Sequence, residues 1–209
     1  MKTKINSISN DWANVKNKCR TTVNKEYTEK EPSKEFKIKL LIAEHSPIRL
    51  LSVDWSWNKI KYWVSTEWSR HKFEKYISTQ RTDRVGVNRD DKPQSAQVNF
   101  DGYANAQNLI DAWRKRLCYQ AAKEARELAE DFKVELHNSE PEIADVLVPH
   151  CLYRGGCSEM QPCGFFEKFM RDFEKAKEHN PSLALFNIQD RYKVYNDVFY
   201  SNHKERKEN

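Results

Sequence analysis

Residues 60–81 read IKYWVSTEWSRHKFEKYISTQR. Ile60, Trp63, Val64 and Trp68 recur at the three- and four-residue steps of an α-helix, and Ser56 or Asn58 is available as N-cap, so the spacing predicts a helix over 56–75. Glu67, Arg70 and His71 extend the same stripe. Charged groups on a surface helix belong opposite its apolar face, so three on the near side mark the edge of a pocket.

Upstream, KIKLLIAEHSPIRLLSV (37–53) clusters Ile, Leu and Val around Pro47 and predicts one or two short strands broken by a turn, with His45 just before the break. The first 36 residues are polar and end in the charged run KEYTEKEPSKEF, which predicts a mobile arm or a peripheral helix. Downstream, 76–103 is rich in Ser, Thr, Asn, Asp and Arg and reads as loop with short strand pieces. From Tyr103 to Leu136 a helical period runs through Leu109, Ile110, Trp113, Leu117, Ala121, Ala125, Leu128 and Phe132, predicting one long amphipathic helix. Arg114 and Arg126 read as solvated on it, whereas Arg116 adjoins Trp113 and Leu117. Helices are expected over 141–148 and 165–178, followed by a polar, aromatic and highly charged tail from Arg191. The expected fold is α+β, a small mixed or antiparallel sheet packed with long helices. Its expected divisions are an N-terminal arm (1–36), a ligand-binding core (37–138) and a helical extension with a cysteine-rich block (139–209).

A chain of 209 residues can bury a core without disulfides or metals. With 38% hydrophobic and 32% charged residues it reads as a folded protein with a heavily solvated surface. A net charge of +5 suits phosphorylated ligands but falls short of a nucleic-acid footprint. No window approaches the roughly 20 consecutive apolar residues of a membrane helix. The N-terminus lacks the apolar stretch of a signal peptide and the cysteines are odd in number, so the expected compartment is the cytoplasm. His150, Cys151, Cys157 and Cys163 are weak metal candidates, because cysteines this far apart lack the two-residue knuckle of zinc ribbons; packed free thiols, and no metal, are the expectation.

The segment SRHKFEKYISTQR resembles the signature of the flavin-dependent thymidylate synthases, an Arg-His-Arg triplet followed by a serine and then an Arg-Tyr pair; here the triplet is Arg70-His71-Lys72. Other anchors follow in family order: Glu44-His45 upstream, Arg89 with Pro93, Asn105-Ala106-Gln107 at a helix start, and Arg116 followed by AAKEARELA. The resemblance covers roughly residues 37 to 130. It implies reductive methylation of dUMP to dTMP, with FAD as cofactor, methylenetetrahydrofolate and NADPH as co-substrates, and a homotetramer with sites assembled across subunits. Flavin contacts are implied for His45, Arg70, His71, Lys72, Asn105, Gln107 and Asp111. Contacts to dUMP are implied for Glu67, Arg70, Arg81, Arg89 and Arg116, with Arg116 the catalytic residue whose guanidinium stabilises charge developing on the pyrimidine. Strict counting sets Gln80 at the signature serine, while a one-residue deletion sets Thr79 there and keeps Arg81 at the arginine. Glu67 stands where the family has Gln, Lys72 replaces the third arginine, and Arg89 follows Arg81 by eight positions where the family inserts a helical segment. Related alternatives are a flavin-dependent pyrimidine hydroxymethylase and a non-catalytic nucleotide- or nucleic-acid-binding relative.

Overall fold

A computed structural model describes residues 2–208. In chain order the elements are β1 (Thr3–Ser9), α1 (Trp12–Thr21), α2 (Lys34–Ile42), a 3-10 turn (Ser46–Leu50), β2 (Ser52–Lys61), α3 (Tyr62–Ser69), β3 (Glu74–Ile77) and α4 (Thr82–Val85). After a 3-10 turn at Arg89–Asp91 come β4 (Gln97–Asn105), α5 (Ala106–Arg116), α6 (Lys123–His137), α7 (Pro141–Asp145), α8 (His150–Arg154), α9 (Phe165–His179) and α10 (Ile188–Glu208). The strands form one antiparallel sheet in the order β1-β2-β4-β3. The α+β class with a small antiparallel sheet is therefore the one expected.

The two central strands make the core. In β2, Val53, Trp55 and Trp57 alternate with Ser52, Asp54 and Ser56, the period-two pattern of a strand with one buried face, and all three apolar side chains are fully buried. The expected helix from Ser56 therefore starts only at Tyr62: the helical spacing belongs to α3, and what precedes it is strand. In β4, Val98, Phe100 and Ala104 alternate inward in the same way, with Gly102 opposite Trp55 in the register. The expected single helix over 103–136 is accordingly β4 followed by two helices. Asn105 ends the strand and caps α5, its Oδ1 accepting from the Asn108 N–H at 2.9 Å, and the chain breaks again between Arg116 and Lys123. Trp113 of α5 and Phe132 of α6 bring their ring centroids within 4.2 Å of each other and complete an aromatic cluster with Trp55, Trp57, Trp68, Phe73 and Phe100.

The N-terminal residues hold a helix, α1, one of the two forms expected, but they also depart from expectation. β1 is the sheet edge paired with β2, and the Trp12 indole N–H donates to Glu140 at 2.8 Å in a buried contact. Trp12 and Val15 anchor a segment whose overall polarity hides them. The strands expected over 37–53 are helix α2, capped by the Ser33 hydroxyl accepting from the Phe36 N–H at 3.2 Å, then the turn begun by Pro47. The polar tail is helix α10, which buries Tyr192, Tyr195 and Phe199 at helical spacing.

Lys133 of α6 is fully buried beneath α10, donating to the Ala144 carbonyl (2.6 Å) and the Asn196 side-chain oxygen (2.8 Å), with the rings of Tyr195, Phe199 and Tyr200 5.2–5.6 Å away. Burial lowers its pKa to about 7 against the opposing pull of Asp145. Between that value and the ordinary lysine range the unfolded chain binds the extra proton, so stability rises with pH in this window. Lys133→Met is expected to flatten that rise, read as urea midpoints measured between pH 7 and 9.

Candidate active site

The site grows from the end of α3. The His71 N–H donates to the Trp68 carbonyl at 3.2 Å and the Phe73 N–H to the His71 carbonyl at 3.1 Å, so the chain turns sharply into β3 while Glu67, Arg70 and His71 keep their helical stripe. Arg116, the last residue of α5, reaches this stripe from across the core. Its Nε donates to His71 Nε2 at 2.7 Å, its Nη1 to Glu67 Oε2 at 2.7 Å, and its Nη2 to the Glu67 carbonyl. Arg70 pairs with the other Glu67 carboxylate oxygen at 3.1 Å. The Arg116 guanidinium carbon lies 5.9 Å from the Trp68 ring centroid and the residue is 8% exposed.

This geometry fixes the histidine's protonation. Nε2 accepts from Arg116, so the ring is neutral and carries its proton on Nδ1. Burial, then the Arg116 charge, lowers the His71 pKa to about 4. The ring lies nearly parallel to Phe73 with centroids 6.4 Å apart.

His71 also faces a cleft of about 680 Å³, a size suited to a small-molecule site. Arg49, Lys72 and Lys75 bring three cations to its wall against the single carboxylate of Glu74, and Ser52, Tyr103, Asn105 and Asn108 add neutral hydrogen-bonding groups. Lys75 is held by the His71 and Phe73 carbonyls at 2.8 and 3.1 Å, and the Tyr103 hydroxyl donates to Ser52 at 3.0 Å. Of the residues expected to contact a flavin, His71, Lys72 and Asn105 line this cleft.

Others lie elsewhere. Gln107, Asp111 and Arg114 form a different stripe of α5 that meets Glu44: Gln107 donates to Glu44 at 2.5 Å and to Asp111 at 3.3 Å, and Arg114 pairs with Glu44 while stacking 3.6 Å over the Tyr153 ring. Arg114, expected to be solvated, is in fact buried. His45, next to Glu44, is exposed. Thr79, Gln80, Arg81 and Arg89 belong to the segment after β3, in which every residue from Arg81 to Asp91 is exposed. Arg81 is clasped by Asp83 (2.7 and 3.1 Å), the Arg81 N–H donates to the Thr79 hydroxyl at 3.1 Å, and Arg89 stands 4.0 Å from Asp90. The structure thus joins Glu67, Arg70, His71 and Arg116, and it leaves the Arg81 and Arg89 group in local pairs of its own.

Arg49, Lys75 and Tyr103 are cleft residues that sequence reasoning missed. Lys75 follows His71 by four, but the turn after Ser69, which no residue pattern announces, is what aims it. Arg49 and Tyr103 enter through pairing of elements distant in sequence, which periodicity does not encode.

No family model matches this sequence, and no curated protein does. Among solved structures, the flavin-dependent thymidylate synthase ThyX of Helicobacter pylori, crystallised with FAD and dUMP, is similar with a TM-score of 0.59 and 13% identity, covering 71% of this chain and 100% of its own. The UMP/dUMP methylase PolB of Streptomyces cacaoi, bound with 5-Br dUMP, is similar at a TM-score of 0.56 and 12% identity, covering 69% of this chain and 93% of its own. The likeness is one of fold.

Proposed function

We propose that this chain is a flavin-dependent enzyme that methylates C5 of dUMP, with FAD as cofactor, methylenetetrahydrofolate and NADPH as co-substrates, and a homotetramer as its working form. The observation that carries this reading is the junction of Arg116, His71 and Glu67 beside a cation-lined cleft. The sequence signature and the shared fold support it.

The donor set fits a phosphorylated dinucleotide. Arg49, Lys72 and Lys75 offer charge-assisted donors to a diphosphate, and Asn105 and Asn108 offer amides to its neutral parts. A reduced flavin held there supplies the hydride of the reaction. Arg116 uses three of its five N–H groups on His71 and Glu67, which fixes the guanidinium plane and leaves two to donate to a pyrimidine oxygen as negative charge grows on it. Because that orientation is set before substrate arrives, no reorganisation is needed at the moment of reaction. His71, neutral, holds an N–H donor at Nδ1 across the working pH range. Arg81 and Arg89 reach the nucleotide phosphate only with their exposed segment rearranged or in the assembled tetramer.

One observation favours a second reading. Glu67 already neutralises Arg116, which weakens its pull on a developing oxyanion, so the site fits a different one-carbon chemistry such as hydroxymethylation, or nucleotide binding without turnover. Growth of a thymidine-requiring bacterium separates these. The first reading expects rescue by this chain and loss of rescue with Arg116→Ala; a soluble, dUMP-binding protein that gives no rescue supports the second.

A further inference from the structure

Four of the five cysteines line one small cavity of about 10 Å³, yet they come from well-separated parts of the chain. Cys118 lies in the break between α5 and α6, Cys151 is in α8, and Cys157 and Cys163 lie in the stretch leading to α9. Cys118 and Cys151 are each close enough to Cys157 and Cys163 for their charges to interact, and all four are free thiols.

From this gathering we infer that Cys118, Cys151, Cys157 and Cys163 bind one zinc ion as a structural centre, fastening the α5–α6 junction to α8 and to the stretch before α9. This does not depend on the functional reading above. Four thiolates are a complete ligand set for tetrahedral zinc, and thiolate softness selects this class of metal. The spacing within the cysteine-rich block lacks a zinc knuckle, but Cys118 removes the need for one, because the fourth ligand comes from tertiary structure.

The stretch between Gly155 and Gly164 supplies the freedom to close the site. It has no helix or strand of its own, Met160 is fully exposed, and both bounding glycines are left-handed, with φ of 71° and 78°. Little apolar burial organises it. Its ties to the body include the Gly156 N–H to the Cys151 carbonyl at 2.9 Å and the Gln120 amide to the Gln161 carbonyl at 2.5 Å. Among the described residues no three His, Cys, Asp or Glu side chains stand close enough together to hold a metal ion, so the site forms only when this stretch moves. Closing the stretch onto Cys118 and Cys151 completes the tetrahedron, and each thiol gives up its proton to solvent as the metal binds. The resulting centre carries two net negative charges, and Lys115, Arg154 and Arg114 are close enough to the neighbouring His150 to act on its charge, so cations stand ready to offset it.

Elemental analysis of the full chain, purified without chelator from zinc-replete medium, tests this. One zinc per chain is expected, falling to background in Cys118→Ser and unchanged in Cys19→Ser. Cobalt(II) titrated into the metal-free chain is expected to give the thiolate-to-cobalt charge-transfer band of a four-sulfur site. If the serine variants do not fold, thiol titration of the native chain decides: chelator is expected to expose four further reactive thiols. Protein without zinc or a cobalt band, Cys118→Ser that retains full zinc, thiol reactivity unmoved by chelator, or a disulfide in the intact mass overturns the assignment.

Discussion

Arg116→Ala is expected to destabilise the chain by about 3 kcal/mol and to remove its response to dUMP. The substitution takes three donors from one place. It leaves His71 Nε2 and the Glu67 carbonyl without their partner, and it leaves the Glu67 carboxylate, with 23% of its side-chain surface exposed, to an Arg70 that is itself 70% exposed. Breaking a fully buried pair from one side costs roughly 3–5 kcal/mol, and the residual access of water to Glu67 sets the value at the lower end. For a chain of this length that corresponds to a fall in Tm of about 10 °C. Because most of the cost is a largely buried carboxylate left only to the exposed Arg70, Glu67→Gln in the same background is expected to recover part of it. Urea unfolding of the two single variants and the double variant gives the coupling directly. A loss below about 1 kcal/mol in Arg116→Ala means that the junction is solvated and does not organise the site.

Gly102→Ala is expected to cost roughly 3 kcal/mol or more, enough to leave much of the chain insoluble. A Cβ at this position would lie 2.2 Å from Trp55 Cζ2 and 2.5 Å from Cε2, well inside contact distance. The indole has nowhere to retreat, since its ring centroid is 5.1–5.7 Å from those of Trp57, Phe73, Trp113 and Phe132. The strain reaches the cleft, because Gly102 is next to Tyr103 and three residues before Asn105 on the same strand. Trp55→Phe removes the clashing atoms, so the double variant is expected to be more stable than Gly102→Ala alone. Equal stability of the two would show that β4 itself, and not the indole, rejects the methyl group.

The two positions also show what the chain discloses before it folds. The stripe of Glu67, Arg70 and His71 was legible because helical spacing survives from Tyr62 onward, and Arg116 stood out because Trp113 and Leu117 flank it. The strand before α3 carried an equally plain signal in Val53, Trp55 and Trp57, but the tryptophans and isoleucine further on fit a helical period as well, and an extended reading of that period hid the alternation. The same happened at Asn105, where a strand passes directly into a helix and the apolar positions of both merge into one run. Arg114 resisted reading for a different reason: its partner Glu44 and its stacking ring Tyr153 are distant in sequence, and a charged residue on a helix shows no local sign of such partners. Cys118 is a third case, separated by α6 and α7 from the cysteines with which it lines a cavity. The polar composition of the N-terminus concealed β1, whose place in the sheet comes from pairing with β2 and not from its own hydrophobicity.

Flavin binding by the purified chain is the most direct measurement of the central claim. Titration of the metal-replete protein with FAD, followed by absorbance and by retention through gel filtration, is expected to give a yellow protein with stoichiometric FAD. Adding dUMP is expected to perturb the flavin spectrum of the native chain and to leave that of Arg116→Ala unchanged. A folded protein that stays colourless at saturating FAD contradicts the account.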